Sequence, residues 1–181
     1  MDKKLKNILE NSMNRGSLHP DEIPSLDLYM DQIITLLQTH FAGQPPLTRA
    51  MIHNYSKEGI LKPVKGKKYT REHIMQMLAV YSMKNTLSLG EIHRVLAGVY
   101  AQEGFGEAEL AQCFTRCLDT MEQQKCMIAE SAERILDECA LSADTPADAL
   151  TLLLAVTAAA DALNDYASRI AEEYFPPLKQ K

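Results

Sequence analysis

The side chains in this sequence best suited to binding chemistry are four hydrogen-bonding groups in the stretch between Leu47 and Ile74. Thr48 and Arg49 open a segment with helical apolar spacing, and His53 and Asn54 lie about one turn further along it. Arginine pairs with guanine and asparagine with adenine through two hydrogen bonds each, and all four groups can bind phosphates or base edges. A helix of this length fits the major groove of DNA, so the pattern predicts a helix that reads nucleic acid.

Three lysines, Lys65, Lys67 and Lys68, surround Gly66 shortly after that segment. Gly66 is suited to a tight turn, and lysines at its tip are suited to a phosphate backbone. Contacts of this kind add affinity without sequence information. The alternative interpretation is that these cations only solvate a small helical domain, because most runs of charge are solvent-exposed faces.

The charge of the chain is strongly asymmetric, although the whole sequence carries a formal net charge of only −5. Residues 48–84 hold eight basic and two acidic side chains, a net charge of +6. Residues 100–173 hold four basic and fifteen acidic side chains, a net charge of −11. A local basic patch attracts polyanions whatever charge a distant segment carries, so the front half is the candidate polyanion-binding region.

The histidines and cysteines do not form a pattern typical of a metal site or an enzyme. The cysteines lack CxxC spacing, and the five histidines have no second ligand at a suitable interval. Phosphate-loop, nucleophile-elbow and HExxH motifs do not occur. We therefore expect no catalytic residue, no metal and no cofactor. The four cysteines are expected to be small buried side chains, with a redox pair of Cys113 and Cys117 as the alternative.

The front half is predicted to fold as helix, short helix, hairpin, helix, helix. Ser25 is suited to cap a helix from Leu26 to Phe41, and Thr48 to cap a second helix that ends before Gly59. Residues 60–69 are predicted to form a small β-hairpin.

Two further caps are predicted after this hairpin. Thr70 is suited to begin the next helix, and Ser88 with Glu91 forms the SxxE pattern of a capping box. Before the first capped helix, the polar amino-terminal residues 1–22 are expected to form a short helix and a loop.

The acidic back half carries two long apolar series with alternating steps of three and four. The first is Ala111, Phe114, Leu118, Met121, Lys125, Ile128, Ala132, Ile135 and Cys139, and the second is Ala149, Leu153, Val156, Ala160, Leu163, Ala167, Ile170 and Tyr174. Such spacing predicts an antiparallel pair of long helices. Apolar side chains beside the seam would need a cover, either a second copy in a four-helix arrangement or the chain's own helix from Leu26 to Phe41.

The sequence favours a soluble, cytoplasmic protein without membrane contact. The most apolar uncharged run, residues 149–160, is shorter than a bilayer-spanning helix. The amino-terminal stretch lacks the apolar centre of a secretory signal.

The run TRAMIHNYSKEGILKP, followed by KKYTREHIMQMLAVYSMKNTLSLGEIHRVL, resembles the winged helix-turn-helix of MerR-type transcription regulators over about residues 47–97. The matching positions are Thr48, Tyr55, Gly59-Ile60-Leu61, Pro63, Tyr69-Thr70 and Ser88-Leu89-Gly90-Glu91-Ile92. The resemblance implies a recognition helix followed by a basic wing. The whole chain also resembles an uncharacterised bacterial family, a domain of unknown function with the order YMDQ, LT, MI, NY, KYT and HI.

Together these patterns predict a mainly α-helical protein with three parts. A polar segment (1–24) precedes a winged-helix domain (25–101), and a helical dimerisation or effector region (107–175) follows. We expect a homodimer that binds double-stranded DNA, with any small-molecule effector unknown. The candidate DNA contacts are Thr48, Arg49, His53, Asn54, Lys57, Lys65, Lys67, Lys68, Tyr69 and Arg71. The alternative is a winged-helix adaptor that binds a protein partner and no DNA at physiological salt.

Overall fold

The computed structural model describes residues 3–13, 16–41, 45–139 and 141–177, which contain seven α-helices, one 3-10 turn and two short strands. The helices are α1 (Lys3–Met13), α2 (Met30–His40), α3 (Arg49–Lys57), α4 (Arg71–Met83), α5 (Leu89–Tyr100), α6 (Glu107–Glu138) and α7 (Pro146–Tyr174). The strands are β1 (Leu28–Tyr29) and β2 (Lys68–Tyr69), and the 3-10 turn is Pro20–Glu22. The prediction of a mainly helical fold with a small β element is confirmed.

The chain divides into two compact units. The first, called here the head, runs from Gly16 to Arg116 and takes up the chain again from Tyr166. The second, called here the arm, consists of α1 with Cys117–Asp165. Each of the two long helices therefore contributes one end to the head and the rest to the arm.

The head extends beyond the predicted winged-helix segment because it buries side chains from outside residues 25–101. Leu18 and Ile23, which precede that segment, are 2% and 4% exposed. Leu110 of α6 and Ala171 of α7 join the same core. The compact unit thus includes the 3-10 turn and one end of each long helix.

The core of the head is built from the inner faces of four consecutive helices. Its fully buried side chains are Ile33 of α2, Ile52 of α3, Ile74, Met75, Gln76, Met77 and Val80 of α4, and Ile92 of α5. Nearly every side chain of α4 from His73 to Tyr81 is buried, so α4 is the central helix of this unit.

The first capped helix starts later than predicted. Ser25 is not its cap, because α2 begins at Met30 with Tyr29 at the N-cap position. The Tyr29 backbone N–H donates to Oε1 of Gln32 at 2.9 Å, which closes the first turn. The residues before it are extended because β1 pairs with β2, and Leu26 is 77% exposed.

The predicted hairpin over residues 60–69 is wrong. The pairing partner of β2 is β1, with Leu28 opposite Tyr69 and Tyr29 opposite Lys68. The backbone of Lys62 instead bonds to α4: its N–H donates to Gln76 Oε1 at 3.0 Å, and its carbonyl lies 3.2 Å from His73 Nε2. A distant strand and two helix side chains thus satisfy groups that a local hairpin would have paired.

The predicted caps within the head are confirmed. The hydroxyls of Thr48, Thr70 and Ser88 each accept a backbone N–H at the start of α3, α4 and α5. Glu91 completes the capping box by accepting the Ser88 N–H at 2.8 Å. Gly59 follows α3 with φ 69°, the left-handed conformation that glycine adopts without strain.

The start of α7 carries a cap of the same kind. Pro146 is its first residue, and the Thr145 hydroxyl donates to Asp148 Oδ2 at 2.6 Å while it accepts the Asp148 N–H at 3.2 Å. The predicted seam of α7 is not covered by the described residues, because Leu153 and Leu163 are 62% and 69% exposed.

The first capped helix is the alternative cover for the apolar side chains beside the seam of α6. Ile33 and Leu37 of α2 are 0% and 4% exposed, and both belong to the core of the head. Leu110 of α6 is 5% exposed in the same core, whereas Met127 is 65% exposed.

Candidate nucleic-acid interface

The recognition candidate, α3, has one buried and one exposed side. Ile52 and Tyr55 anchor it in the core at 0% and 3% exposure. At about 100° per residue, Arg49, His53 and Lys57 form a row along the opposite side, and all three are exposed. The helix thus presents a continuous row of basic and imidazole groups to solvent while its other side is fixed.

Asn54 and Thr48 flank this row. Asn54 is exposed beside it, and Thr48 is exposed at the amino end of α3. The Thr48 hydroxyl accepts the Met51 N–H at 3.2 Å, which orients the first turn. Since a hydroxyl has two acceptor lone pairs and one proton, this cap leaves its O–H able to donate to a ligand.

Arg49 forms an ion pair with Asp31 of α2. Both side chains are 66% exposed. An exposed pair of this kind contributes little free energy, so a phosphate or a base can compete with Asp31 for the guanidinium. The pair joins α2 to the start of α3 and directs Arg49 across the gap between them. No spacing rule predicts this contact, because the two residues belong to different helices.

The segment Lys65–Lys68, called here the lysine turn, leads into β2. Gly66 has φ 80°, and a side chain added there would meet no atom within 4 Å. Lys65 and Lys67 are exposed and form no ion pair within the described residues, whereas Lys68 lies 5.2 Å from the centroid of the Tyr29 ring.

Tyr29 is a surface residue that sequence reasoning did not select. It is 51% exposed, and the pairing of β1 with β2 brings it beside the lysine turn. An exposed aromatic ring beside cations is suited to stacking or hydrogen bonding at a nucleic-acid surface. The sequence signal that could have selected Tyr29 is its position in the YMDQ run.

Tyr69 and Arg71 occupy structural positions rather than the exposed surface. Tyr69 is 7% exposed, and burial raises the pKa of its phenol. Arg71 Nη2 donates to the carbonyl of Pro20 at 2.8 Å, and the guanidinium lies 3.6 Å from carboxylate oxygens of Asp21 and Glu107. Arg71 therefore links the 3-10 turn to the start of α6.

Lys62 is likewise held inside the head. Its ammonium lies 2.6 Å from Glu72 Oε1 and 4.1 Å from the centroid of the Tyr100 ring. Burial, together with the nearby Glu72 carboxylate, raises the pKa of Tyr100. The ammonium of Lys62 is thus paired within the head, although the side chain stays 40% exposed.

An open groove borders the exposed side of α3. Its volume is about 470 Å³, and it lies between α3 and the connection from α4 to α5. The lining residues are Ala50, Met51, Asn54, Tyr55, Lys84, Leu87, Ser88 and Leu89. The wall is largely apolar, with Lys84 and Asn54 among its polar groups.

The cysteines differ from the prediction of burial. All four are exposed and free: Cys113, Cys117, Cys126 and Cys139. They lie on α6 or directly after it, in a segment whose side chains are mostly exposed. In the part of the chain that the structure describes, His, Cys, Asp and Glu form no group that could hold a metal ion.

Residues 18–117 match the family model described as "Domain of unknown function (DUF1836)". The chain belongs to the DUF1836 family. The matched range nearly coincides with the continuous part of the head, Gly16–Arg116. The predicted resemblance to an uncharacterised family is confirmed over these residues. No curated protein and no solved structure matches this chain.

The chain resembles that family through a short series of residues. Several of these residues stabilise the fold of the DUF1836 head. Tyr29 occupies the N-cap position of α2, and Tyr55 anchors α3 in the core. Thr70 caps α4, and His73 lies within hydrogen-bonding distance of the Thr70 hydroxyl, at 2.7 Å. Asp31 and Asn54 belong to the same order, and both are exposed.

Proposed function

We propose that this chain is a DNA-binding transcription regulator whose DUF1836 head binds double-stranded DNA. In this proposal α3 enters the major groove and the lysine turn contacts the flanking backbone. The observation that carries it is the row of Arg49, His53 and Lys57 on the exposed side of a helix whose other side is anchored in the core. A fixed helix with donors on its outer face meets the geometric need of major-groove recognition.

The proposal includes a winged helix-turn-helix of the MerR type. It is supported by the order of α2, α3, the lysine turn and α4, and by the caps at Thr48 and Thr70. The pairing of β1 with β2 ties the lysine turn to the residues just before α2, so one short sheet positions both. The wing of this proposal is a turn held against β1 instead of a local two-stranded hairpin.

The proposed contacts fall into two groups. Arg49 and Asn54 carry sequence readout, because their side chains are suited to guanine and adenine. The backbone-contacting residues are Thr48, His53, Lys57, Lys65, Lys67 and Lys68, joined by Tyr29. Tyr69 and Arg71 are left out of the contact set because the first is buried and the second is bound within the head.

The helical back half completes the proposal as a dimerisation region, in a cytoplasmic protein without catalytic activity. Two linked heads on one duplex suit an operator with two half-sites. Any effector would act through this region.

A second candidate, an adaptor that binds a protein partner, is favoured by the groove beside α3. Its apolar lining includes Met51 and Leu87, and Leu89 at its edge is 36% exposed. An apolar groove of this kind suits a helical peptide better than a phosphate backbone.

Selection from a random duplex library with the purified full chain tests the choice between the two. The DNA-binding proposal predicts an enriched motif, and a two-fold symmetric motif would report the dimer. The double variant Arg49→Ala, Asn54→Ala should lose the motif. Arg134→Ala, which removes an exposed arginine from the arm, should retain it. A library that shows no enrichment and no retained duplex would favour the adaptor.

A further inference from the structure

His73, a buried side chain of α4, contacts the chain on both sides of the lysine turn. Its ring is 6% exposed and lies edge-on to the ring of Tyr69, with 6.0 Å between the two centroids. Nδ1 lies 2.7 Å from the Thr70 hydroxyl and 3.2 Å from the Thr70 backbone nitrogen. Nε2 lies 3.2 Å from the carbonyl oxygen of Lys62. One imidazole ring therefore joins the residues before the lysine turn to the residues after it.

The partners of the two ring nitrogens determine which of them carries the proton. A carbonyl oxygen only accepts, so Nε2 must donate to Lys62. A backbone N–H only donates, so Nδ1 must accept from Thr70, whose hydroxyl can donate to the same nitrogen. The form of imidazole that satisfies both sides is the neutral ring with its proton on Nε2. The hydrogen-bond network thus assigns the tautomer of His73.

Other contacts hold each side of the lysine turn separately. On the near side, the Lys62 N–H donates to Gln76 Oε1 at 3.0 Å, and the Lys62 ammonium pairs with Glu72. On the far side, β2 pairs with β1. Each of these contacts involves one side only, whereas the ring of His73 contacts both.

We infer that His73, as the neutral ring with its proton on Nε2, is a positioning residue for the lysine turn. Because the Lys62 carbonyl and the Thr70 N–H bond to one ring, the two ends of the segment between them are held at a fixed separation. Fixed ends restrict the conformations of Lys65–Lys68, so less conformational entropy is lost when these cations bind phosphate.

The inference deepens the proposed function, and its consequence for phosphate contact rests on that proposal. The hydrogen bonds of the ring are measured on the protein alone, without DNA, so the two can fail separately. A chain that binds no duplex would contradict the proposed function, whereas a different bonding of the ring would contradict the inference.

Two substitutions of His73 separate its two contacts. Asparagine places its side-chain oxygen close to the position of Nδ1, but its side chain is too short to reach the Lys62 carbonyl. His73→Asn should therefore keep the acceptor for the Thr70 N–H and lose the donor to Lys62. His73→Phe keeps a ring of similar size and loses both contacts. Val80→Ala is the matched control for a loss of stability alone, because Val80 lies on the same helix and is 0% exposed.

Amide hydrogen exchange of the full chain, followed by nuclear magnetic resonance, measures the two sides through the N–H groups of Lys62 and Thr70. Each rate is expressed relative to that of the Met77 N–H in the same variant, which corrects for a general loss of stability. His73→Phe should raise both relative rates at least about tenfold. His73→Asn should raise that of Lys62 by a similar factor and that of Thr70 by less than about threefold. Val80→Ala should raise neither.

A two-bond proton–nitrogen correlation spectrum of the histidine rings in the wild-type chain identifies the tautomer. We expect a protonated Nε2 and an unprotonated Nδ1 for His73. If His73→Phe does not fold, the Lys62 N–H of His73→Asn provides the measurement of exchange. Three results would overturn the inference: a proton on Nδ1, a relative rate of Lys62 that neither variant of His73 raises, and equal rises in a His73 variant and in Val80→Ala.

Discussion

At the scale of single residues, Arg49 and Asn54 carry the proposed sequence readout. Alanine at either position should cost roughly 1–3 kcal/mol of binding free energy on the preferred duplex and little on random DNA. Fluorescence anisotropy with both duplexes measures the difference. Arg134→Ala is the control, because it removes an arginine that is 73% exposed on the arm. Equal losses on both duplexes would reduce the two residues to backbone contacts.

Asp31 was not selected from the sequence, and the structure shows that it forms an ion pair with Arg49. Asp31→Asn should raise affinity for random duplex by roughly two- to tenfold, because it removes a negative charge and releases Arg49 for phosphate. The free energy of unfolding should change by less than about 1 kcal/mol, since both partners of the pair are 66% exposed.

Anisotropy and thermal denaturation of Asp31→Asn test both parts, and the double variant with Arg49→Ala is the control. If Asp31→Asn raises affinity equally in the absence of Arg49, the effect is a general charge effect and not a release of that side chain.

At the scale of elements, the capping box at the start of α5 has a defined pH dependence. Hydrogen bonds from Ser88 lower the pKa of Glu91. A carboxyl group with a lowered folded-state pKa stabilises the fold above its unfolded pKa, and this contribution is lost as pH falls through the folded value. Glu91→Ala should therefore destabilise the chain at neutral pH and much less in strong acid.

Urea denaturation of wild type and Glu91→Ala at pH 7 and at about pH 3 measures this change. A stability difference that stays constant or grows on acidification would mean that the ionised carboxylate does not support the cap.

The starts of α3, α4 and α5 were predictable because caps depend on residues three positions apart, whereas Ser25 offers the same chemistry and does not cap α2. Thr48, Thr70 and Ser88 each satisfy a backbone donor of their own first turn, and that chemistry is visible in the sequence. The sheet was not predictable in the same way, because Leu28 and Tyr69 are distant in sequence and no local spacing rule indicates that they pair.

At the scale of the whole molecule, the charge asymmetry and the helical class were predictable from the sequence. Which basic side chains are exposed and which are paired within the head was not. Lys62 and Arg71 count toward the basic segment, yet carboxylates of the head neutralise them. Tyr69 reads as a surface residue next to two lysines, yet it faces the core. These assignments depend on which side chains meet in three dimensions, and the sequence alone does not contain that spacing.

The salt dependence of duplex binding tests the central claim most directly. The full chain and the triple variant Lys65→Ala, Lys67→Ala, Lys68→Ala are titrated with random duplex at several sodium chloride concentrations. The account predicts that wild-type affinity falls steeply with salt, and that the variant binds more weakly with a slope reduced by roughly one unit per lost phosphate contact. No duplex binding by the wild type at low salt, or identical slopes for the two proteins, would contradict it.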